Sequence, residues 1–424
     1  MLEILHDWNP WWSRKNSVDR FAGKERPKYL APLLDLIDKK HVISVVGIRR
    51  CGKTTLLYQV IKHLLQTHNP ENIIYLNMDD ERLVGLEQPL EMLLQEYKRS
   101  TETNGKKTYI FLDEVQNIIA WEKWVKRYYD QKKEYKFIVS GSSSSLLGSD
   151  YSSLLTGRNI TIEIFPLTFE EYLAFNGFDF SMGDIKAIWT KNRKLEDRII
   201  YHLERYMKTG GFPEVVLGHG GHKLLEQYFS DILYRDIIKR HKVRHPDKLE
   251  LLAVFAMRNI SNLLSLRKIS RVTGLSVDTV KEYIGYLEEA YLLFTSRNFT
   301  RSAVDSLRQA SPIKIYCNDV GMANSLLLEP MRNLGSMAEN LAAQKVKYEW
   351  GQCFYWRDTK EIDIVVPKNR SAYQVTYGPI KTREMENFSK FPYKDFKKKL
   401  ISYDVYEPLN SIPIIPLWTF LLRK

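Results

Sequence analysis

Cysteine is scarce in this chain, which has three cysteines among its 424 residues. They are odd in number and far apart: Cys51, Cys317 and Cys353. Disulfide-stabilised scaffolds and cysteine-based metal sites need paired or closely spaced cysteines, and neither spacing occurs here. The sequence therefore argues against both classes of protein and fits a reducing compartment.

Long hydrophobic runs are also lacking. The longest, near residues 412–422, is interrupted by Pro413 and Pro416. It falls well short of the roughly 20 residues that cross a bilayer. The first residues are acidic, aromatic and proline-containing, whereas a signal peptide begins with basic residues followed by an apolar run. We therefore expect no membrane segment and a cytoplasmic protein.

Positive charge exceeds negative charge, with 63 Lys and Arg against 51 Asp and Glu and a formal net charge of +12. An excess of this size favours contact with polyanions such as nucleic acid. A solvated, lysine-rich surface explains it equally well. There is no fixed-period repeat, and the length predicts roughly three domains.

A glycine-rich loop follows an apolar strand that is predicted over residues 41–46. The loop, Gly-Ile-Arg-Arg-Cys-Gly-Lys-Thr, is a Walker A pattern. In such a loop the backbone N–H groups surround phosphate oxygens, Lys53 reaches the β- and γ-phosphates, and the Thr54 hydroxyl ligates magnesium. A helix is predicted behind it over 54–65. The residues predicted to bind ATP are Gly47, Ile48, Arg49, Arg50, Cys51, Gly52, Lys53, Thr54 and Thr55.

A pair of carboxylates follows another apolar strand, predicted over residues 109–112. The pair is Asp113 and Glu114, and a further strand over 73–77 separates it from the loop in sequence. This is a Walker B arrangement, in which Asp113 would hold magnesium and Glu114 would orient and polarise the attacking water. Such a pair favours hydrolysis of ATP over phosphotransfer. The alternative is a pair of surface carboxylates at a strand end.

The next predicted strand, residues 136–139, is followed by Ser140. A hydroxyl placed between the two Walker strands would sense the γ-phosphate. The alternative is a plain serine-rich loop, because Ser142 to Ser145 has the chemistry of a helix cap.

Residues 20–245 resemble AAA+ ATPases of the archaeal and bacterial type. The resemblance rests on residues 47–55, Phe-Leu-Asp-Glu-Val-Gln at 111–116, Leu-Thr-Gly-Arg at 155–158, and Pro-Leu-Thr-Phe-Glu-Glu-Tyr from Pro166. It implies a five-stranded parallel sheet whose Walker strands are separated by one inserted strand. The fifth strand is expected at 160–164.

The resemblance also implies site residues outside the Walker motifs. Arg158 matches an arginine finger that acts in trans, which would require self-association or another protein partner. Its alternatives are an intramolecular salt bridge or a cap on the preceding helix. A helical lid is implied over 168–245, in which Gly210-Gly-Phe-Pro resembles a turn beside the nucleotide. Pro213 is therefore a candidate nucleotide contact, or only a residue that starts a helix.

Residues from Leu266 to Leu287 have the pattern of helix, glycine turn and helix. Gly274 supplies the turn, Ser276 caps the second helix, and an apolar face recurs at helical spacing. The pattern resembles winged helix-turn-helix domains, with residues 291–301 as the candidate wing.

On double-stranded DNA the second of these helices would enter the major groove and bring Lys281 to the bases. The phosphates would meet three basic residues of the first helix: Arg267, Lys268 and Arg271. The alternative is a module that packs against the lid or a neighbouring subunit. A basic run from Arg235 to Arg244 would extend a DNA-facing surface or form a solvated helix face.

Residues 312–424 resemble the restriction-endonuclease-like domain that accompanies these ATPases. An active domain of that fold has an Asp, followed on the next strand by an acidic residue, any residue and a Lys, often with a helical Glu. Asp363 and Glu339 match this pattern. Gln374 replaces the second acid and Thr376 replaces the lysine, so both metal binding and charge stabilisation are weakened.

We therefore expect a structural or interaction role for this domain instead of nuclease activity. Glu361 would share a strand face with Asp363 and could replace the lost acid. Lys360 or Lys381 could reach in from a loop, but no residue of this stretch clearly replaces the lysine.

Together these patterns predict an α/β chain of four parts: an ATPase core (1–166), a helical lid (167–245), a winged helix-turn-helix (246–310) and a nuclease-like α/β domain (311–424). ATP and Mg²⁺ are the expected cofactors. The predicted function is ATP hydrolysis as a nucleotide-driven switch, with double-stranded DNA as a candidate partner. The alternatives are an ATP-dependent nuclease and an interaction module that binds ATP without hydrolysing it.

Overall fold

Two compact units divide the chain, Met1–Phe165 and Pro166–Lys424. The computed structural model describes residues 1–101, 107–131, 134–142, 155–178, 193–302, 312–327, 333–380, 382–403 and 412–423. Ser143 to Ser145 of the predicted serine-rich cap, and Lys381, lie outside the described residues. Within the described ranges, no helix is long and apolar enough to cross a membrane.

A five-stranded parallel sheet forms the centre of the first unit. Its strands lie in the order β2-β3-β4-β1-β5, and every neighbouring pair is parallel. The strands are β1 (Val42–Gly47), β2 (Ile73–Asn77), β3 (Thr108–Asp113), β4 (Tyr135–Gly141) and β5 (Asn159–Ile164). The predicted sheet, with one strand inserted between the two Walker strands, is confirmed.

The helices of the first unit cover this sheet, whose strands β1 and β3 are buried at every residue. Within the described residues they are α1 (Leu2–Trp8), α2 (Asp19–Ala22), α3 (Pro27–Ile37), α4 (Lys53–Leu64), α5 (Pro89–Ser100) and α6 (Trp121–Asp130). Leu57, Ile61 and Leu64 recur at three- to four-residue spacing in α4 and are buried. The helix behind the glycine-rich loop is thus held by apolar contacts along its length.

The second unit begins with a helical segment. Its described helices are α7 (Phe169–Phe175), α8 (Arg193–Thr209), α9 (Pro213–Val216), α10 (His222–Asp231), a π-helix (Ile232–Ile238), α11 (Lys239–His241) and α12 (Pro246–Arg258). A capping box between Thr168 and Glu171 starts α7. The predicted basic run lies on the π-helix, α11 and the residues that follow them.

A helix–turn–helix follows, as the sequence predicts. Its helices are α13 (Leu266–Thr273) and α14 (Val277–Glu289). Gly274 adopts a left-handed conformation with φ of 66°, and the Ser276 side chain accepts the backbone N–H of Thr279. Gly274 at the turn and Ser276 as the cap are therefore confirmed.

An eight-stranded sheet joins this helix pair to the carboxy-terminal part. Its order is β13-β12-β11-β10-β9-β7-β8-β6. The strands are β6 (Leu263–Leu264), β7 (Leu293–Asn298), β8 (Ile313–Cys317), β9 (Phe354–Arg357), β10 (Glu361–Val366), β11 (Ser371–Thr376), β12 (Lys397–Ser402) and β13 (Ile414–Pro416). The accompanying helices are α15 (Val320–Ser325), α16 (Leu334–Trp350), α17 (Thr382–Lys390) and α18 (Leu417–Leu422).

Strand β7, which the sequence predicts as part of a wing, lies inside this sheet. It pairs antiparallel with β8 and parallel with β9. A free wing would leave one edge of the strand exposed, whereas here both edges are paired. Strand pairing therefore runs across the predicted boundary between residues 310 and 311, and the two segments share one sheet.

A buried carboxylate joins the Gly210-Gly-Phe-Pro turn to the start of α15. Asp319 accepts the backbone N–H of Gly211 at 2.7 Å and that of Met322 at 2.8 Å. A Cβ added to Gly210 would lie 2.1 Å from Asp319 Oδ1, so this close approach requires glycine. Pro213 occupies the first position of α9, in agreement with its interpretation as a helix start.

Candidate nucleotide-binding site

At two positions the loop between β1 and α4 has a backbone conformation that favours glycine. Gly47 has φ of 152°, and a Cβ added there would lie 2.0 Å from the carbonyl oxygen of Ile164. Gly52 is left-handed with φ of 99° and caps α4. The two glycines of the Walker A pattern are thus required by conformation and by close approach.

Lys53 places a positive charge inside this loop. It is the first residue of α4 and is buried. Its Nζ donates to the carbonyl oxygens of Gly47 at 3.0 Å and Ile48 at 3.1 Å. The N-terminal end of α4 adds backbone N–H groups and the positive end of the helix dipole. The loop can therefore bind an anion such as phosphate.

Arg26, a residue that the sequence analysis missed, binds the backbone on the outer side of the loop. The Arg26 guanidinium donates to the carbonyl oxygens of Cys51 at 2.8 Å and Phe165 at 3.0 Å. Burial raises the pKa of the Cys51 thiol, and its Sγ donates to the Ile164 carbonyl at 3.4 Å. Cys51 is therefore a structural residue. Nothing in the sequence around Arg26 marks its role.

The carboxylate of Asp113 is surrounded by hydroxyl groups. Its Oδ2 accepts from Thr54 Oγ1 at 2.6 Å and from Tyr75 OH at 2.8 Å, and its Oδ1 accepts from Ser140 Oγ. Burial raises the pKa of Asp113, the charge of Glu114 raises it further, and the hydroxyl groups oppose both effects. The structure therefore brings together Thr54, Asp113 and Ser140, three of the predicted site residues.

Glu114 begins a left-handed turn directly after β3, with φ of 56°. Its backbone N–H donates to Ser140 Oγ at 3.2 Å, and its carboxylate accepts from Gln116 Nε2 at 2.5 Å. Gln116 Oε1 is buried and accepts no hydrogen bond among the described residues. Gln116 was not predicted, and it sets the orientation of the Glu114 carboxylate.

Comparison with known proteins places this site in a family. The sequence profile of an AAA domain matches residues 39–173, and a profile described as a domain of unknown function matches residues 200–333. An uncharacterised protein of Methanocaldococcus jannaschii is 30% identical over 408 residues, which cover 89% of this chain and 87% of that protein. The chain belongs to the same family as this relative, and it carries an AAA domain of the P-loop type.

Other relatives of this AAA protein extend the likeness. An uncharacterised protein of Haemophilus influenzae is 27% identical over 414 residues, covering 94% of this chain and 98% of its own. Among solved structures, the Aeropyrum pernix ORC1 protein in complex with DNA is 15% identical, with a TM-score of 0.31 over 74% of this chain and 91% of that one.

Arg158 of the AAA module forms a surface ion pair. Its Nε lies 2.9 Å from Asp130 Oδ1, and both side chains are partly exposed. An intramolecular salt bridge was one of the alternatives considered for this residue. Pairs of this kind contribute at most about 1 kcal/mol, so the arginine can leave Asp130 at low cost. Its role as a finger stays a prediction.

The amino-terminal segment supports Tyr75, another residue absent from the sequence prediction. The Asn9 amide pairs with the backbone of Tyr75, accepting its N–H at 2.6 Å and donating to its carbonyl at 2.9 Å. Trp11 and Trp12 donate their indole N–H groups to the carbonyl of Ile73. Side chains of the amino-terminal segment therefore hydrogen-bond the backbone of edge strand β2. They hold Tyr75 in the position from which its hydroxyl contacts Asp113.

In the second unit, the predicted nuclease-like residues surround a lysine. The Lys314 cluster consists of Lys314 on β8, Glu339 on α16, and Glu361 and Asp363 on β10. The Lys314 Nζ lies 2.9 Å from Glu339, 2.7 Å from Glu361 and 3.2 Å from Asp363. Burial would lower the pKa of Lys314, but the three carboxylates outweigh it and raise that pKa well above its ordinary value.

The sequence analysis did not identify Lys314, which enters this site from β8 and not from the stretch around Asp363 and Gln374. The proposed substitute Lys360 instead pairs with Glu386 at 3.0 Å. Glu361 does share the site with Asp363, as its position two residues earlier predicts. Gln374 Nε2 donates to Asp363 Oδ2 at 2.5 Å. Thr376 is buried, and it lines a cavity of about 450 Å³ together with Asp363 and Gln374.

The predicted DNA contacts lie on two helices of different charge. The three basic residues of α13 are exposed: Arg267, Lys268 and Arg271. On α14, Lys281 pairs with Asp278 at 3.3 Å. That helix also carries Glu282, Glu288 and Glu289. The basic face therefore belongs to the first helix of the pair, and the second helix has an excess of negative charge.

Proposed function

We propose that this protein binds Mg·ATP at the loop of its first unit and hydrolyses it as a nucleotide-driven switch. The observation that carries the proposal is the 2.6 Å hydrogen bond between Thr54 Oγ1 and Asp113 Oδ2. A loop hydroxyl and a strand-end carboxylate held this close offer two hard oxygen ligands to one divalent cation. Lys53 supplies a positive charge in the same loop.

The phosphate-binding roles follow from these positions. Lys53 would bind β- and γ-phosphate oxygens, together with the backbone N–H groups of the loop. Thr54 and Asp113 would hold magnesium, which neutralises phosphate charge when bound. Ser140 donates to Asp113 and lies on the strand between the two Walker strands, which supports its role as a γ-phosphate sensor. Pro213 stays a candidate contact only.

We assign to Glu114 the role of orienting and polarising the attacking water. It follows Asp113 directly and does not share the hydrogen bond between Thr54 and Asp113, so it is free to act as a base and not as a metal ligand. The Gln116 amide gives its carboxylate one orientation. This arrangement favours hydrolysis over the alternative of a module that only binds ATP.

Duplex DNA would meet opposite charges on α13 and α14. DNA phosphates repel acidic side chains, and α14 exposes Asp278 and Glu282 beside its single lysine, Lys281. Contacts from α13 to phosphates would be sequence-independent. We therefore propose that affinity for DNA resides mainly in α13, and we do not propose a contact of Lys281 with the bases.

Nuclease activity is not part of the proposed function. Gln374 offers a neutral amide in place of a carboxylate, and its Nε2 faces Asp363 as a donor. Thr376 carries no charge. Lys314 lies among the carboxylates where a metal ion would have to bind, so the residues present do not fit a nuclease metal site.

ATP turnover by matched variants tests the proposal. Lys53→Ala should abolish nucleotide binding, whereas Glu114→Gln should keep binding and lower turnover by about 100-fold or more, because only the water-orienting group changes. Binding is measured with a fluorescent ATP analogue and turnover as phosphate release. Glu81→Gln, an exposed glutamate outside the site, is the control. Parental turnover in Glu114→Gln would show that another group activates the water.

A further inference from the structure

In the Lys314 cluster, each N–H donor of the ammonium group has one carboxylate as its acceptor. An ammonium group has three N–H donors and no acceptor, and Nζ of Lys314 lies within 3.2 Å of one oxygen from each of three carboxylates. The lysine side chain is 1% exposed. All three donors are therefore satisfied inside the protein, and none is left for solvent or for a substrate.

Asp363 and Glu339 also accept hydrogen bonds from groups other than Lys314. Asp363 Oδ2 accepts the Gln374 amide at 2.5 Å and the backbone N–H of Val375 at 2.9 Å. Glu339 Oε1 also accepts the hydroxyl of Tyr316 at 2.8 Å. A divalent cation in this place would have to displace the ammonium group, since it needs the same carboxylate oxygens at closer range.

The charges explain why a cation is needed here. Three carboxylates gathered in a buried space repel one another, and removing them from water is costly without an opposite charge. A nuclease of the resembled fold provides that charge with a bound metal ion. Here Lys314 on β8 provides it from within the chain.

We propose that the Lys314 ammonium group is a built-in replacement for the divalent cation of a nuclease-like site, and that removing it opens a site for a hard cation such as Mn²⁺. The lysine also connects β8, α16 and β10, so it holds the helix–turn–helix part and the carboxy-terminal part of the shared sheet together. The inference concerns the second unit alone and does not depend on ATP hydrolysis.

The test is Mn²⁺ binding to the full-length protein without nucleotide, measured by electron paramagnetic resonance of free Mn²⁺. Lys314→Met keeps the length of the side chain and removes its charge. We expect it to gain one Mn²⁺ site at least about tenfold tighter than any site in the parent protein. Lys314→Met with Asp363→Asn should lose the gain, and Lys360→Met, which removes a surface lysine paired with Glu386, should not show it.

Thermal unfolding supplies a second measurement if Lys314→Met folds poorly. Mn²⁺ should raise the unfolding temperature of this variant and leave that of the parent protein unchanged. A parent protein that gains stability from Mn²⁺, and loses that gain in Asp363→Asn, would overturn the proposal. Metal-dependent cleavage of plasmid DNA by the parent protein, abolished in Lys314→Met, would do the same by making Lys314 the lysine of an active nuclease.

Discussion

Tyr75 illustrates how one residue outside the motifs shapes the candidate ATP site. Its hydroxyl donates to the same Asp113 oxygen that accepts from Thr54. Its ring packs on Tyr58 with centroids 4.7 Å apart. Because the phenol is buried, its pKa is raised well above the ordinary value, and it acts as a hydrogen-bond donor throughout the physiological range.

Removal of the Tyr75 hydroxyl should change how the proposed ATPase activity is lost at low pH. Burial raises the pKa of Asp113, and the Tyr75 hydrogen bond is one of the contacts that lower it. Tyr75→Phe should therefore raise that pKa further, and activity that needs ionised Asp113 should be lost at a higher pH as the pH falls. The measurement is kcat/KM against pH at saturating Mg²⁺. Tyr109→Phe, whose hydroxyl contacts Asp38 and His68 instead, is the control. An unchanged acid limb in Tyr75→Phe would contradict this role of Tyr75.

At the scale of elements, strand β2 lies at the edge of the parallel sheet. Edge strands expose unpaired backbone groups that proteins cover in various ways. Here the Asn9 amide and the indoles of Trp11 and Trp12 cover them. The amino-terminal segment is therefore part of the nucleotide-binding unit, since it supports the strand that carries Tyr75.

The two hydrogen bonds between the Asn9 amide and the Tyr75 backbone should contribute measurably to the stability of β2. Asn9→Leu leaves one buried N–H and one buried carbonyl of Tyr75 without partners, at about 1–3 kcal/mol for each. We expect at least about tenfold faster hydrogen exchange at the Tyr75 amide. Asn69→Ala, which removes an exposed contact to the backbone of Glu71, should leave that exchange unchanged. Equal exchange rates in the parent protein and Asn9→Leu would refute the support of β2 by Asn9.

At the scale of the whole molecule, Arg158 is the residue by which a second copy of the chain would complete the candidate ATP site. Arg158 lies just before β5, and among the described residues its guanidinium contacts the Asp130 carboxylate in a surface ion pair and the Thr156 carbonyl at 3.5 Å. An arginine supplied in trans stabilises the charge that develops on the phosphate and affects kcat more than binding.

We expect Arg158→Ala to lower kcat by about 10- to 1,000-fold with little change in ATP affinity. Specific activity of the parent protein should rise with protein concentration as copies associate. Asp130→Ala breaks the same ion pair and spares the arginine, so it should retain activity. Equal losses in both variants would assign Arg158 to the ion pair, and activity independent of concentration would argue against a shared site.

Local patterns were sufficient for the first unit because the Walker motifs are continuous in sequence and their chemistry demands particular residues. Gly47, Lys53 and Asp113 could be predicted as site residues without coordinates, and the strand order follows from the resemblance that they support. The same holds for Gly274 and Ser276, whose turn and cap depend on backbone conformation within a few residues. Sequence alone therefore determined the family, the sheet and the predicted phosphate-binding residues.

Only the tertiary structure decided what surrounds those residues. Asn9 and Tyr75 are 66 residues apart in the chain, and Lys314 is separated from Asp363 by 49 residues. No local period or motif links such positions, because the contacts arise from strand order and packing. Sheet pairing likewise decided that β7 is an internal strand and not a free wing. The sequence determined which motifs the chain carries, and the fold determined which charged side chains lie in contact.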